Sequence, residues 1–317
     1  MKLTVKAQSF PINGSFTISR GSKTSADVIV VELQDGTARG RGEAVPYWRY
    51  GETVQQCLAA FEGYDDNASG LPKAAQNALD CARWDLAAKQ SGTPVFVTAG
   101  LTKLNPLVTA YTLSLDAAAV MAEAARQAAH YPLLKLKLGR GGDEERLAKI
   151  RESVPHARLI VDANEGWNET TLPTMLKACA RYGVELVEQP LPQGQDEMLL
   201  NLKCDIIICA DESAHDTASL KSLRGKYDAV NIKLDKTGGL TEALRMSAAA
   251  RADGFKVMVG CMLATSLAMA PAFIVAQNAD YVDLDGPLLL AKDRSPAINY
   301  FNGLMQPPPP ALWGKLH

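Results

Sequence analysis

The stretch Leu133-Leu134-Lys135-Leu136-Lys137-Leu138-Gly139 alternates leucine with lysine, the period-2 pattern of a β-strand, so Lys135 and Lys137 share one face. Tyr131 and Pro132 lead in from a helix-like run, and Gly139-Arg140-Gly141-Gly142 leads out into another. That context describes a short buried strand inside an α/β unit. A half-exposed edge strand is the default for an isolated Lys-x-Lys, since lysine favours water. If the lysine face is interior, the chain must supply anions, because an unpaired buried ammonium is costly.

Working outward, the same unit recurs after Pro106. Strand-like cores lie at 107–113, 133–138, 159–161, 186–188, 206–210, 229–234, 256–259 and 281–284. Helical runs at 117–129, 144–153, 172–182, 196–202, 218–223, 241–252 and 264–277 separate them. Strict β/α alternation argues for a parallel sheet. Eight strands at this spacing fit a closed barrel better than an open doubly wound sheet, and no glycine-rich dinucleotide fingerprint follows the first strand. No helix of normal length follows the eighth strand, so the expected fold is α/β, a modified (β/α)8 TIM-type barrel of (β/α)7β form. The tail, through Pro307-Pro308-Pro309-Pro310, is expected to return to the N-terminal part.

The first 55 or so residues read as antiparallel strands, with 28–33 strand-like and Gln34-Asp35-Gly36-Thr37 an Asp-Gly hairpin turn. Gly40-Arg41-Gly42-Glu43-Ala44 is too glycine-rich for a helix, and Ser19 to Ser25 reads as a polar loop in which Arg20 would ordinarily be solvated. Residues 53–90 turn helical, with Ala75, Leu79, Ala82 and Leu86 on one stripe, and Ser91-Gly92-Thr93-Pro94 stops the helix. The expected division is an N-terminal α+β capping domain, 1–105, joined by the tail 291–317, and a barrel over 106–290.

Composition excludes more than it assigns. A net charge of -2 gives no electrostatic reason to expect nucleic acid or an anionic membrane. No stretch has the length of a signal peptide core or a membrane span. The six cysteines form no CxxC pair and read as free thiols in a reducing cytoplasm. The four scattered histidines suggest neither a zinc site nor a Ser-His-Asp triad. A small-molecule partner is expected, and homo-oligomerisation is left open.

In such a barrel the strand C-termini form the active site. Those ends carry Lys135 and Lys137 on strand two, Asp162 with Asn164 on three, Glu188 on four, Asp211 then Glu212 on five, Lys233 on six, Gly260-Cys261-Met262 on seven and Asp283-Leu284-Asp285 on eight. Taken singly, Asp162 or Asp211 could be a helix N-cap, and Asp235 and Lys236 read as loop charges. Three carboxylates on successive strands with lysines on either side suit a hard cation such as Mg²⁺ or Mn²⁺. A lysine near that ion and a second ammonium would have a lowered pKa and serve as a base. Together they could remove a proton α to a carboxylate.

These residues carry a resemblance. Leu134-Lys135-Leu136-Lys137, Val161-Asp162-Ala163-Asn164, Glu188-Gln189-Pro190-Leu191, Ala210-Asp211-Glu212-Ser213 and Asn231-Ile232-Lys233-Leu234, with Gly40-Arg41-Gly42-Glu43, resemble the muconate-lactonising subgroup of the enolase superfamily over essentially the whole chain. Asp283-Leu284-Asp285 is similar to the Asp-x-Asp motif of the subgroup's dipeptide epimerases, and Arg20 matches a position that reads an acidic side chain there. The resemblance implies an isomerase acting on dipeptides of the L-Ala-D/L-Glu type, in murein-peptide breakdown, by Mg-assisted two-base 1,1-proton transfer through an enediolate. It implies Asp162, Glu188 and Asp211 as metal ligands with Asn164 behind them. Lys137 and Lys233 would be the acid/bases for the (R) and (S) configurations, and Lys135 would stabilise the enediolate. Asp283 and Asp285 would hold the α-ammonium, Arg20 the acidic side chain, and Thr112, Cys261 and Leu263 would contact the dipeptide. Rival readings are o-succinylbenzoate synthesis or cycloisomerisation, neither needing Asp283 and Asp285, and a metal-binding relative without catalysis.

Overall fold

The computed structural model of the chain describes residues 1–64 and 68–315. It opens with an antiparallel sheet of β1 (Lys2–Ile18), β2 (Gly21–Asp35) and β3 (Ala38–Ala44). Where a polar loop was expected at 19–25, β2 begins at Gly21, so Ser19 and Arg20 are the two-residue turn of a long hairpin. Helices α1 (Val54–Glu62), α2 (Lys73–Ser91) and α3 (Val95–Thr98) follow. Gly92 caps α2 in the left-handed conformation, φ 76°, as its Gly-Thr-Pro signal foretold. The glycines of β3 have a packing cause: a Cβ at Gly40 or Gly42 would lie 2.1 or 2.0 Å from a backbone carbonyl of α2. Strand and helix can touch only because both side chains are missing.

Then comes β4 (Leu107–Val108), and the βα repeat runs β5 (Tyr111–Leu113), α4 (Ala118–Gln127), β6 (Leu133–Lys137), α5 (Asp143–Ser153), β7 (Arg158–Asp162), α6 (Leu172–Arg181), β8 (Val184–Glu188), β9 (Ile207–Ala210), α7 (Leu220–Leu223), β10 (Ala229–Ile232), α8 (Leu234–Thr237), α9 (Leu240–Ala252), β11 (Lys256–Gly260), α10 (Ser266–Ala276) and β12 (Tyr281–Asp283). Strands β5 to β12 form one parallel sheet in sequence order, and Ala110 N donates to Val282 O at 2.8 Å between its two ends. The expected barrel is therefore the observed one. Three expectations are corrected. The strand at 107–113 is broken, with β4 pairing instead with the tail hairpin of β13 (Tyr300–Phe301) and β14 (Leu304–Met305). The run at 196–202 is a 3₁₀ helix, Glu197–Asn201, and 218–223 is a 3₁₀ turn leading into a single α-turn.

Ala110, Leu133, Ile160, Leu186, Cys209, Ala229, Met258 and Tyr281 cluster as the barrel floor, one residue at each strand. Every residue of β6 is buried, which settles the question its sequence posed: the lysines face the barrel interior, and Leu134 and Leu136 pack in the main core with residues of the surrounding helices. The tail closes on the N-terminal layer. Trp313 is fully buried with Nε1 donating to Cys81 O, Gly314 N donates to Asp85 Oδ1, and Arg294 pairs with the buried Glu43, which also accepts from Thr265. All six cysteines are free, and among the described residues no helix is long and apolar enough to cross a membrane.

Candidate active site

Because side chains on a strand alternate, the residue two beyond each floor residue forms the next layer inside the barrel. Counting so gives Thr112, Lys135, Asp162, Glu188, Asp211, Asn231, Gly260 and Asp283, and two further lie Lys137, Lys233 and Asp285. Gly260 is needed in that layer, since a Cβ there would sit 2.7 Å from Asn231 Oδ1.

The ionic contacts are dense. Lys135 Nζ lies 2.6 Å from Glu188 Oε2, 2.7 Å from Asp283 Oδ2 and 3.3 Å from Asp162 Oδ2. Lys137 Nζ donates to Asp162 Oδ2 at 2.6 Å, and Lys233 Nζ to Asp211 Oδ2 at 2.7 Å. Asn231 Nδ2 donates to Glu188 Oε1 at 2.8 Å, and the backbone N of Asn164 to Asp162 Oδ1 at 2.9 Å. Burial disfavours charge on Lys135, but Asp283, Glu188 and Asp162 outweigh it and hold the ammonium well above its ordinary pKa. Lys233 is likewise held high against burial by Asp211 and Glu188, opposite to the lowered value expected of a base. Burial also opposes ionisation of Asp162 and Asp211, yet their lysine partners keep both below the usual carboxylate range. Glu188 differs: burial, then the charge of Asp162, push it up to about 7. Asp285 is also pushed up to about 7, by burial and by Asp283.

One carboxylate oxygen from each of Asp162, Glu188 and Asp211 lies within 4.8 Å of the other two. Glu188 Oε2 is buried and makes no hydrogen bond, its contact with Lys135 being ionic only. An all-oxygen cluster of this size, with the buried Glu188 Oε2 free of hydrogen bonds, could hold a hard metal ion, so the residues fit one.

Walls are assigned by strand order. In an eight-strand ring, strands four apart face each other. Thus β6, carrying Lys137, faces β10, which leads to Lys233, while β8, carrying Glu188, faces β12 with Asp283. A cavity of about 350 Å³ opens above, lined by these groups, by Cys261 and Leu263, and by Phe16, Arg20, Trp48 and Tyr50 of the capping layer. All sequence-nominated residues except Asp162 and Glu188, which lie beneath, line it. Arg20 is only partly free: Nη2 donates to Glu212 Oε1 at 2.7 Å and Nη1 to Glu165 Oε2 at 3.1 Å, while Nε is buried with no hydrogen-bond partner. The thiol of Cys261 is pushed well up by burial and stays neutral. Asp235 and Lys236 are corrected from loop charges to buried groups. Asp235 accepts from Val45 N and Asn77 Nδ2, and Lys236 donates to Asp211, because the single turn α8 faces both inward. Glu212 and Asn231 were quoted in the strand-end motifs without a role, and Glu165 and Arg49 were not singled out; of the four, Asn231, two residues before Lys233, was accessible from alternation.

Fold and site together define a class: a (β/α)7β barrel with an acidic triad between opposed lysines, under a capping sheet. The family model described as Enolase C-terminal domain-like matches residues 116–309, and the chain belongs to the enolase superfamily. An N-acetyl-D-glutamate racemase of Pseudoalteromonas sp is 44% identical over 92% of this chain and 96% of its own. The L-Ala-D/L-Glu epimerase of Escherichia coli (strain K12) is 42% identical over 95% and 98%. A solved structure of an enolase family member from Agrobacterium tumefaciens with homology to dipeptide epimerases, holding sodium and L-Ala-L-Glu, is 50% identical with a TM-score of 0.95, covering 98% of this chain and 99% of that one. Further dipeptide epimerase structures similar to this chain hold Mg with their dipeptides. The named relatives are epimerases and racemases, which are isomerases.

Proposed function

We propose that the protein epimerises L-Ala-D/L-Glu-type dipeptides at the Glu α-carbon by two-base 1,1-proton transfer, with Mg²⁺ on Asp162, Glu188 and Asp211. The observation that carries this reading is the four-wall layout. The acidic triad faces Asp283 across the barrel, and Lys137 faces Lys233 across the other diameter. A dipeptide spans the first axis, carboxylate towards the triad and ammonium towards Asp283 and Asp285, leaving its α-carbon between the two lysines.

Asp162, Glu188 and Asp211 would hold the dication, which would supply Lewis-acid polarisation of the substrate carboxylate and so acidify the α-proton. One lysine enters neutral and takes the α-proton from its face; the other enters protonated and delivers a proton to the opposite face, inverting the centre. Lys137 serves the (R) configuration and Lys233 the (S). Lys135, kept cationic by its three acid neighbours, stabilises the charge of the enediolate. Arg20 lines the cavity and faces the glutamyl side chain, and Thr112, Cys261 and Leu263 wall the dipeptide. Such a dipeptide is a murein fragment, so we place the reaction in murein-peptide breakdown in the cytoplasm.

A second reading, racemisation of an N-acylated glutamate, is favoured by Asp285, whose carboxyl is pushed by burial and by Asp283 towards the neutral form that donates to a neutral acyl group. Proton NMR in D₂O with Mg²⁺ distinguishes the readings. Loss of the Glu α-proton signal with interconversion of L-Ala-L-Glu and L-Ala-D-Glu is expected. The same behaviour with N-acetylglutamate alone would transfer the assignment to the second reading, and inertness towards both would end it.

A further inference from the structure

Two arginines of the capping layer converge on one residue of the barrel. Arg49 lies in the short 3₁₀ turn Trp48–Tyr50, and its Nε and Nη2 fork onto Glu165 Oε2 and Oε1 at 2.8 and 2.7 Å. Arg20, in the β1–β2 turn, donates to the same Oε2 at 3.1 Å and to Asn164 O at 2.7 Å, and Ser19 Oγ donates to that carbonyl at 2.9 Å. Among the described residues, every side-chain hydrogen bond that Arg49 makes goes to Glu165.

The receiving turn is built for the task. Asn164 and Glu165 stand at φ 44° and 63°, a left-handed pair that no glycine relieves, directly beyond Asp162. Glu165 N donates to Gln189 O at 2.9 Å, and Gln193 N to Glu165 Oε1 at 2.8 Å. A Cβ on the next residue, Gly166, would lie 2.5 Å from Gly139 Cα, so the turn is wedged against the loop leaving β6. The carboxylate is thus fixed from the barrel side before either arginine arrives. The loops it gathers carry Arg20, Trp48 and Tyr50 over the cavity.

We propose that Glu165 is a latch, a positioning residue that draws both capping loops down over the cavity and places Arg20 for the substrate's acidic side chain. Its effect on turnover rests on the dipeptide reading above; its effect on the loops does not. Losing one charge-assisted partner from such a network corresponds to about a tenfold change.

Limited trypsin digestion of the protein, with cleavage sites at Arg20 and Arg49 in these loops and at Lys23 early in β2, reads the latch without substrate. Glu165→Gln is expected to speed cleavage there about tenfold while cleavage elsewhere keeps its wild-type rate. It is also expected to raise KM for L-Ala-L-Glu about tenfold with a smaller change in kcat, an effect that vanishes for a dipeptide without an acidic side chain only if Arg20 placement is the cause. Arg49→Gln reads half of the latch should Glu165→Gln fold poorly, and in the double variant the two effects should not add. Wild-type cleavage rates in both single variants would overturn the proposal. A wild-type protein inert towards every dipeptide would instead sink the functional reading and leave the digestion result standing.

Discussion

Lys236 grips Asp211 from the side away from Lys233: its Nζ donates to Asp211 Oδ1 at 2.6 Å and to Asn231 O at 2.9 Å, while Oδ2 receives Lys233 at 2.7 Å. One oxygen of the carboxylate is thereby held by the scaffold and the other is left to the site. Lys236 is buried and its pKa is lowered by burial, so its worth lies in pairing. Lys236→Met should destabilise the protein by about 3–5 kcal/mol, because it strands a buried carboxylate oxygen. An unchanged urea midpoint would show that the pair is dispensable.

The opposed lysines make a prediction that separates two bases from one. Lys137→Ala and Lys233→Ala should each slow interconversion of L-Ala-L-Glu and L-Ala-D-Glu by about 10²–10⁴-fold. In D₂O, Lys233→Ala should still exchange the α-proton of the D-Glu diastereomer, and Lys137→Ala that of the L-Glu one. If either variant exchanged both, the assignment of faces would be wrong.

Asp283 and Asp285 stand on the wall opposite the triad, where the proposed dipeptide would place its α-ammonium. Replacing both by Asn should abolish dipeptide turnover, since an α-ammonium would lose its counter-charge in a buried site. Steady-state assays with L-Ala-L-Glu and N-acetylglutamate in parallel check this. Retained dipeptide turnover in the double variant would remove the ammonium role.

Asp235 links stability to pH. Burial pushes its carboxyl up to about 7 from an ordinary 3.8, despite hydrogen bonds from Val45 N and Asn77. A folded-state value above the unfolded one means that the native protein binds the proton more tightly. The cost of the site is then absent below about pH 3.8, grows as pH rises, and is complete above about 7. Asp235→Asn should therefore raise the thermal midpoint more at pH 8 than at pH 5, by at most about 2–4 kcal/mol of stability. A larger gain at pH 5 would contradict the sign.

Alternation made the inner layer of the barrel readable from the chain, because each of Lys135, Asp162, Glu188 and Asp283 sits at a fixed offset on its strand. Arg20 was nominated by family resemblance and does lie at the cavity, but its pairing with Glu212, 192 residues away, has no local signature. The same holds for Arg49 and Glu165, 116 residues apart. Asp235 and Lys236 were misread because a charged pair after a strand is ordinarily solvated, and only the docking of α2 and β3 over that turn excludes water. Gly40 and Gly42 argued against a helix, while their real constraint, contact with α2, becomes visible only when the layers are assembled.

The seating of Trp313 and Gly314 against α2 has a consequence for how the molecule is made. A ribosome finishes β1 to α2 long before residue 313 exists, so that layer waits with part of its apolar surface uncovered while the whole barrel is synthesised. Contacts joining residues 81 and 313 are among the most non-local a chain of this size can form, and such contacts come late in folding. The capping layer is thus translated before the barrel and completed after it, and the cavity it roofs takes its final form only once residues 313 and 314 have docked.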